Sequence, residues 1–258
     1  MSSSKEIEKF NNFLYDHADS VSYNEETSKN YLKENGVDVD KFVAKGLDQI
    51  KSTLRKKESQ KIKALFFKRV VLGAEIVYNL HKERTFGHVK LMKLMYLCEQ
   101  VSNMEISTRY VKQAAGPFDA RFMHSIDKEF RRLKWFNVNV NTEKNFTTYE
   151  YIPDANLLSY KSYFSKYYSY NKEPIAWLIK TFGKPQTKKV ELVATIYSCL
   201  DELIKNKEEL SNDILVERVF DWSKEKRKKF TKDDITNAYS WMVNNRLHPK
   251  NYHSYFID

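Results

Sequence analysis

His88-Val89-Lys90-Leu91-Met92-Lys93-Leu94-Met95-Tyr96-Leu97-Cys98-Glu99 is the stretch on which the fold turns. Its apolar residues cover too wide an arc for a surface helix, so the spacing predicts a buried central helix over 87–102. Thr85, just before Phe86-Gly87, is placed to cap it. Upstream, Ile62, Leu65, Phe66, Val70, Val71, Ala74, Val77 and Leu80 predict a long apolar helix over 60–82. Downstream, Gly116-Pro117 predicts a tight turn, because proline restricts the residue before it and donates no backbone hydrogen bond. A helix over 119–133 follows, with Asp119 in its first turn, where a negative charge complements the free amides.

The periodicity changes only once along the rest of the chain. Trp135-Phe136-Asn137-Val138-Asn139-Val140 and Phe146-Thr147-Thr148-Tyr149-Glu150-Tyr151-Ile152 alternate with period two, which predicts a β-hairpin over 135–152. Helices are expected over 156–170, 172–182, 186–205, 212–222 and 231–244, the last opening on the capping-box-like Thr231-Lys232-Asp233-Asp234. Toward the N-terminus, a stripe of Ile7, Phe10, Phe13 and Leu14 predicts a helix over 5–18, and Asn24 caps another over 25–35 that stops at Asn35-Gly36. A third, from Val37 to about 57, carries Phe42, Val43, Leu47, Ile50 and Leu54. The charged stretch 55–63 separates it from the next apolar segment, so the chain divides into a small helical segment, 1–58, and a main domain, 59–258. The fold class is mainly α, a multi-helix bundle-like globule with a small β-hairpin.

Composition narrows the function. Only 6 Gly and 5 Pro in 258 residues favour long helices over many short strands. Lys and Arg number 44 against 34 Asp and Glu, a net charge of +10 that favours acidic partners, protein or nucleic acid. Cys98 and Cys199 sit in apolar helical patterns without ligand spacing, as buried thiols of a reducing compartment do. No apolar start or membrane-length apolar run appears, so the expected location is the cytoplasm, without a membrane partner. No Gly-rich phosphate loop, CxxC or HExxH is present, so neither cofactor nor metal is expected. His124 and Asp127, three apart on a helix, suit a proton-transfer couple or, more commonly, an ordinary surface pair; as adjacent helical residues, His124 and Ser125 do not face each other. Trp222, Lys224, Lys226, Arg227, Lys228 and Lys229 form a basic run, read as a loop or frayed helix end, that more commonly is a solvated charge run but would also suit a phosphate backbone. Arg121, Arg131, Arg132 and Lys134 form a second basic stripe.

The pattern Lys90-Leu91-Met92-Lys93-Leu94-Met95-Tyr96-Leu97, followed by the turn Ala114-Ala115-Gly116-Pro117-Phe118-Asp119, resembles the SocA-like (Panacea) antitoxin domains. Ser125-Ile126-Asp127, Lys134-Trp135-Phe136 and the tail Trp241-Met242 through Leu247-His248-Pro249 are similar to the subgroup found as C-terminal extensions of type I restriction specificity subunits and as free-standing defence proteins. The resemblance covers about residues 80–252. It implies a protein that neutralises a toxin, serves as a proteolytic adaptor or accompanies a restriction system.

The leading expectation is therefore a non-catalytic partner-binding protein of a bacterial or phage-related defence or toxin–antitoxin system. Its partner would be a toxin or a restriction or defence subunit. The expected contact residues are the polar ones beside the central helix and the turn: His88, Lys90, Lys93, Arg109, Tyr110, Asp119 and Arg121. Tyr96, Phe118 and Trp135 are expected in the core. The alternatives are a nucleic-acid-binding protein aiding DNA recognition in a restriction complex, and a nuclease effector.

Overall fold

The computed structural model describes residues 12, 25–36, 38–104, 109–143 and 146–252. Of the expected helix over 5–18 only residue 12 is described, in helical conformation, and the Asn24 cap lies outside the described residues. The chain divides into two units between Ala64 and Leu65.

In the first unit, α1 (Glu25–Glu34) is followed by Gly36, whose positive φ of 77° lets its amide reach back to the Lys33 carbonyl. Helix α2 (Val39–Leu80) then begins, and it is one helix of 42 residues rather than the two expected. The reason is local. Between Gly46 and Gly73 there is no glycine or proline, and the charged stretch 55–63 is rich in Lys, Arg, Glu and Gln, all strong helix formers. Charge there wets the helix without ending it.

The second unit is built around α3 (His88–Val101), of which residues 90–99 are all buried, as the apolar arc predicts. Gly87, not Thr85, is its N-cap, without a side-chain bond. The chain continues through β1 (Val111–Gln113), β2 (Gly116–Phe118) and α4 (Ala120–Leu133) to β3 (Phe136–Glu143) and β4 (Phe146–Pro153). After a 3-10 turn at Leu157–Ser159 come α5 (Tyr160–Tyr167), α6 (Lys172–Gly183), α7 (Thr187–Asn206), α8 (Asn212–Phe220), α9 (Lys224–Lys229) and α10 (Lys232–Asn244). Helix α3 packs against α6, α7 and β2, and α7 in turn against α8 and α10. At Gly73 a Cβ would stand 2.4 Å from Ile126 Cδ1, so glycine there lets α2 and α4 approach closely.

The hairpin β3–β4 pairs Val138 with Tyr151 and Phe136 with Pro153; Phe136, Val138 and Tyr151 face the core. A second hairpin was not foreseen. β1 and β2 pair Lys112 with Pro117 and Gln113 with Gly116, so Gly116-Pro117 is strand and the turn falls at Ala114-Ala115. The run after Ser223 is also ordered, as α9, with Ser223 accepting from the Lys226 amide. The capping box of α10 is present, Thr231 and Asp234 bonding reciprocally. Among the described residues no helix is long and apolar enough to cross a membrane.

Candidate functional site

Arg69 projects from an otherwise apolar face of α2 and is 2% exposed. Its Nε donates to Glu99 Oε1 at 2.7 Å and its Nη1 to Asp119 Oδ2 at 2.7 Å. The Tyr110 hydroxyl donates to Glu99 Oε2 at 2.5 Å. The guanidinium lies 3.9 Å from the Phe122 ring centroid. Asp119 also caps α4, its Oδ1 accepting from the Phe122 amide at 3.0 Å. One arginine thus ties α2, the end of α3, the β1 approach and the start of α4.

The electrostatics follow from burial. Burial opposes a charge on Arg69, but Glu99 and Tyr110 more than compensate and hold its pKa above the ordinary value. Burial pushes the Glu99 carboxyl up, against the pull of Arg69. The Tyr110 phenol is raised by burial and then by Glu99. Each group keeps its buried partners, so the cluster is a frame rather than an exposed reactive centre.

Above this frame lies a cleft of about 600 Å³. Phe66, Val111, Phe118 and Phe122 give it apolar walls, and Arg109 and Arg121 are exposed in its lining. Among the described residues neither arginine forms an ion pair, and both are exposed. The cleft brings together Arg109, Asp119 and Arg121 of the expected contact residues, with Tyr110 beneath it. Asp119 is 6% exposed and serves as cap and frame, not as surface contact. Phe118, expected in the core, is half-buried and forms a wall; Tyr96 and Trp135 are buried as expected.

Lys90 and Lys93 are corrected by the structure. Both are fully buried, at 1% and 0% exposure. Lys90 Nζ donates to Thr85 Oγ1 and to the carbonyls of Gly183 and Pro185, at 2.5, 2.9 and 2.7 Å, and so ties α3 to the α6–α7 connection. Lys93 Nζ donates to the Pro117 carbonyl at 2.5 Å and so holds β2. Burial, with Lys226 adding repulsion, pushes the Lys93 amine down to about 7, and Glu191 opposes the shift. The lysines of the central motif are internal braces. A lysine stem reaches across an apolar interface and delivers a donor to carbonyls that would otherwise be unpaired.

His88 is half-buried. It stacks on Tyr149 with ring centroids 3.3 Å apart, and its Nε2 is 2.9 Å from Asp127 Oδ2. Tyr151 donates to the other carboxylate oxygen at 3.3 Å. Asp127 is therefore engaged by His88 and Tyr151, while His124 stays exposed, so neither the proton-transfer couple nor the surface pair of His124 with Asp127 is present. Among the described residues no group of three or more His, Cys, Asp or Glu is placed to hold a metal.

The basic run is largely neutralised. Lys226 is fully buried and, with Lys229, bonds Glu191, each at 2.6 Å. Arg227 pairs with Glu217 and Asp221, and the Trp222 indole donates to the Gln113 carbonyl at 2.7 Å. Lys224 and Lys228 remain exposed. In the second basic stripe Arg132 pairs with Glu129, and Arg131 donates to the Val138 carbonyl at 2.6 Å.

Sequence reasoning missed Arg69 and Glu99. The signal was present: Arg69 shares a face with Leu65, Leu72 and Ile76, and Glu99 one with Met92 and Met95. Opposite charges, each set into an apolar stripe, mark a buried pair. No family model matches the chain, and no curated protein matches it.

Proposed function

We propose that the chain is a non-catalytic binding protein that seats an acidic segment of a protein partner in the Arg109–Arg121 cleft. The observation that carries the reading is the pair of exposed arginines over apolar walls, set on a frame that holds β1, β2 and α4 in place. Arginine forks suit carboxylates in two-point contacts, and aromatic walls supply the apolar area a docked side chain buries. The partner is expected to be a toxin or a restriction or defence subunit in a bacterial cytoplasm. The likeness of the 88–99 helix and the Ala114–Asp119 segment to SocA-like antitoxin domains agrees with this reading.

The test is co-expression with the product of the neighbouring gene and recovery of the complex. Arg109→Glu and Arg121→Glu should lose the partner while melting like the parent, since both side chains are exposed. Retention of the partner by folded variants would move the interface elsewhere. The alternative, nucleic-acid binding, is favoured by the net charge of +10. It predicts retention on DNA that falls steeply with salt and is insensitive to Arg121→Glu.

A further inference from the structure

We infer a second docking site, separate from the arginine cleft: the groove between the start of α7 and α10 takes an acidic peptide segment bearing a large apolar side chain. The groove encloses about 530 Å³. Its floor is made by Leu192 and Val193 of α7, Phe230, and Trp241 of α10. Trp241 is held rigidly, stacked on Trp177 with centroids 5.9 Å apart and meeting Phe182 edge-on at 5.8 Å. A floor already locked by packing costs little ordering when an apolar side chain enters.

The rim supplies the charge preference. Lys188 Nζ lies 5.2 Å from the Phe230 centroid, and Lys189 Nζ 5.8 Å from that of Trp241. Both lysines are exposed, with their heads beside the rings that form the floor. Asp234 is on the same rim, but its carboxylate accepts from the Thr231 amide at 3.0 Å and lies in the field of Lys188. Lys189 is left without such an offset, so the mouth is net positive. An acidic residue beside an apolar anchor satisfies both rim and floor.

A nucleic-acid strand fits less well. The nearby cations Lys226 and Lys229 are already tied to Glu191, which leaves them less available to a phosphate backbone. Half of the floor is aliphatic and offers a base no ring to stack on.

The experiment uses the full chain and fluorescence anisotropy of labelled hexapeptides EEFLEE, KKFLKK and EEGSEE. EEFLEE should bind, and the other two should bind at least about tenfold more weakly. The double variant K188E/K189E should weaken EEFLEE by a similar factor. Asn237→Trp, which fills the groove from an exposed α10 position without changing charge, should block it. Arg121→Glu should leave it unchanged, which separates this site from the arginine cleft. Thermal melts confirm that each variant is folded. No binding of EEFLEE, equal binding of all three peptides, indifference to the α7 and α10 variants, or loss through Arg121→Glu would overturn the proposal. So would displacement of EEFLEE by oligothymidine that binds more tightly through the same two lysines.

Discussion

Arg69 satisfies two carboxylates with one buried guanidinium, and such an arrangement is sensitive to the loss of its central member. Arg69→Met should cost about 3–5 kcal/mol in denaturant unfolding, because Glu99 and Asp119 are left buried without a counter-charge. Adding Glu99→Gln to that variant should restore part of the loss; a double variant less stable than Arg69→Met alone would show that the frame is not electrostatic. Lys93 gives a pH signature of definite sign. Its folded pKa of about 7 lies below its ordinary value of 10.5, so between those limits the unfolded chain holds more protons. Stability from this group is therefore complete above pH 10.5 and is lost as pH falls toward 7. The stability difference between the parent and Lys93→Met should change in the parent's favour on raising pH across that window, by up to about 1.4 kcal/mol per unit. A flat difference would mean that the amine titrates normally.

At the scale of elements, the sequence was most legible where one pattern ran without competition. The wide apolar arc of α3 and the alternation of β4 each appear within two residues of their expected bounds, while β3 runs three residues past Val140, where its alternation was read to end. The helix break inferred from charge alone failed, since a charged helix face and a helix break look alike in composition; α2 runs through 55–63 for that reason, although the chain does divide close by, between Ala64 and Leu65. The β1–β2 hairpin escaped notice because three-residue strands are too short to show alternation. Packing between α2 and α4 gives a direct test. Gly73→Ala places a methyl 2.4 Å from Ile126 Cδ1 and should destabilise by about 1–3 kcal/mol, seen as a lower midpoint of chemical unfolding. The same change paired with Ile126→Val should lose less. If Gly73→Ala is neutral alone, the two helices have room that the geometry does not show.

Across the whole molecule, residue type proved a poor guide to exposure. Lys90, Lys93 and Lys226, three cations from the two expected contact surfaces, are among the largest fully buried side chains. Sequence showed that polar residues gather around the central helix, but not which way they point. That depends on carbonyls of Pro117, Gly183 and Pro185 and on the Glu191 carboxylate, brought in by distant segments. Within 224–229, Lys226 and Lys229 are engaged by Glu191, and Arg227 by Glu217 and Asp221, which leaves Lys224 and Lys228 as its exposed cations without an ion pair among the described residues. Reversing Lys224 and Lys228 together should leave the salt dependence of any DNA retention nearly unchanged. A drop of about two in the slope of log affinity against log salt would reinstate that run as a phosphate track.

The buried lysines also turn the protein into its own reporter of opening. An amine-acylating reagent meets Lys224 and Lys228 in the native state, but it reaches Lys90, Lys93 and Lys226 only when α3 or α9 leaves its neighbours. Peptide mass spectra of briefly labelled protein would time the release of α3 through Lys90 and Lys93 and that of α9 through Lys226. An acidic partner that tightens the arginine cleft would then be visible as slower acylation at Lys93, the brace beneath β2, even though it never touches that residue.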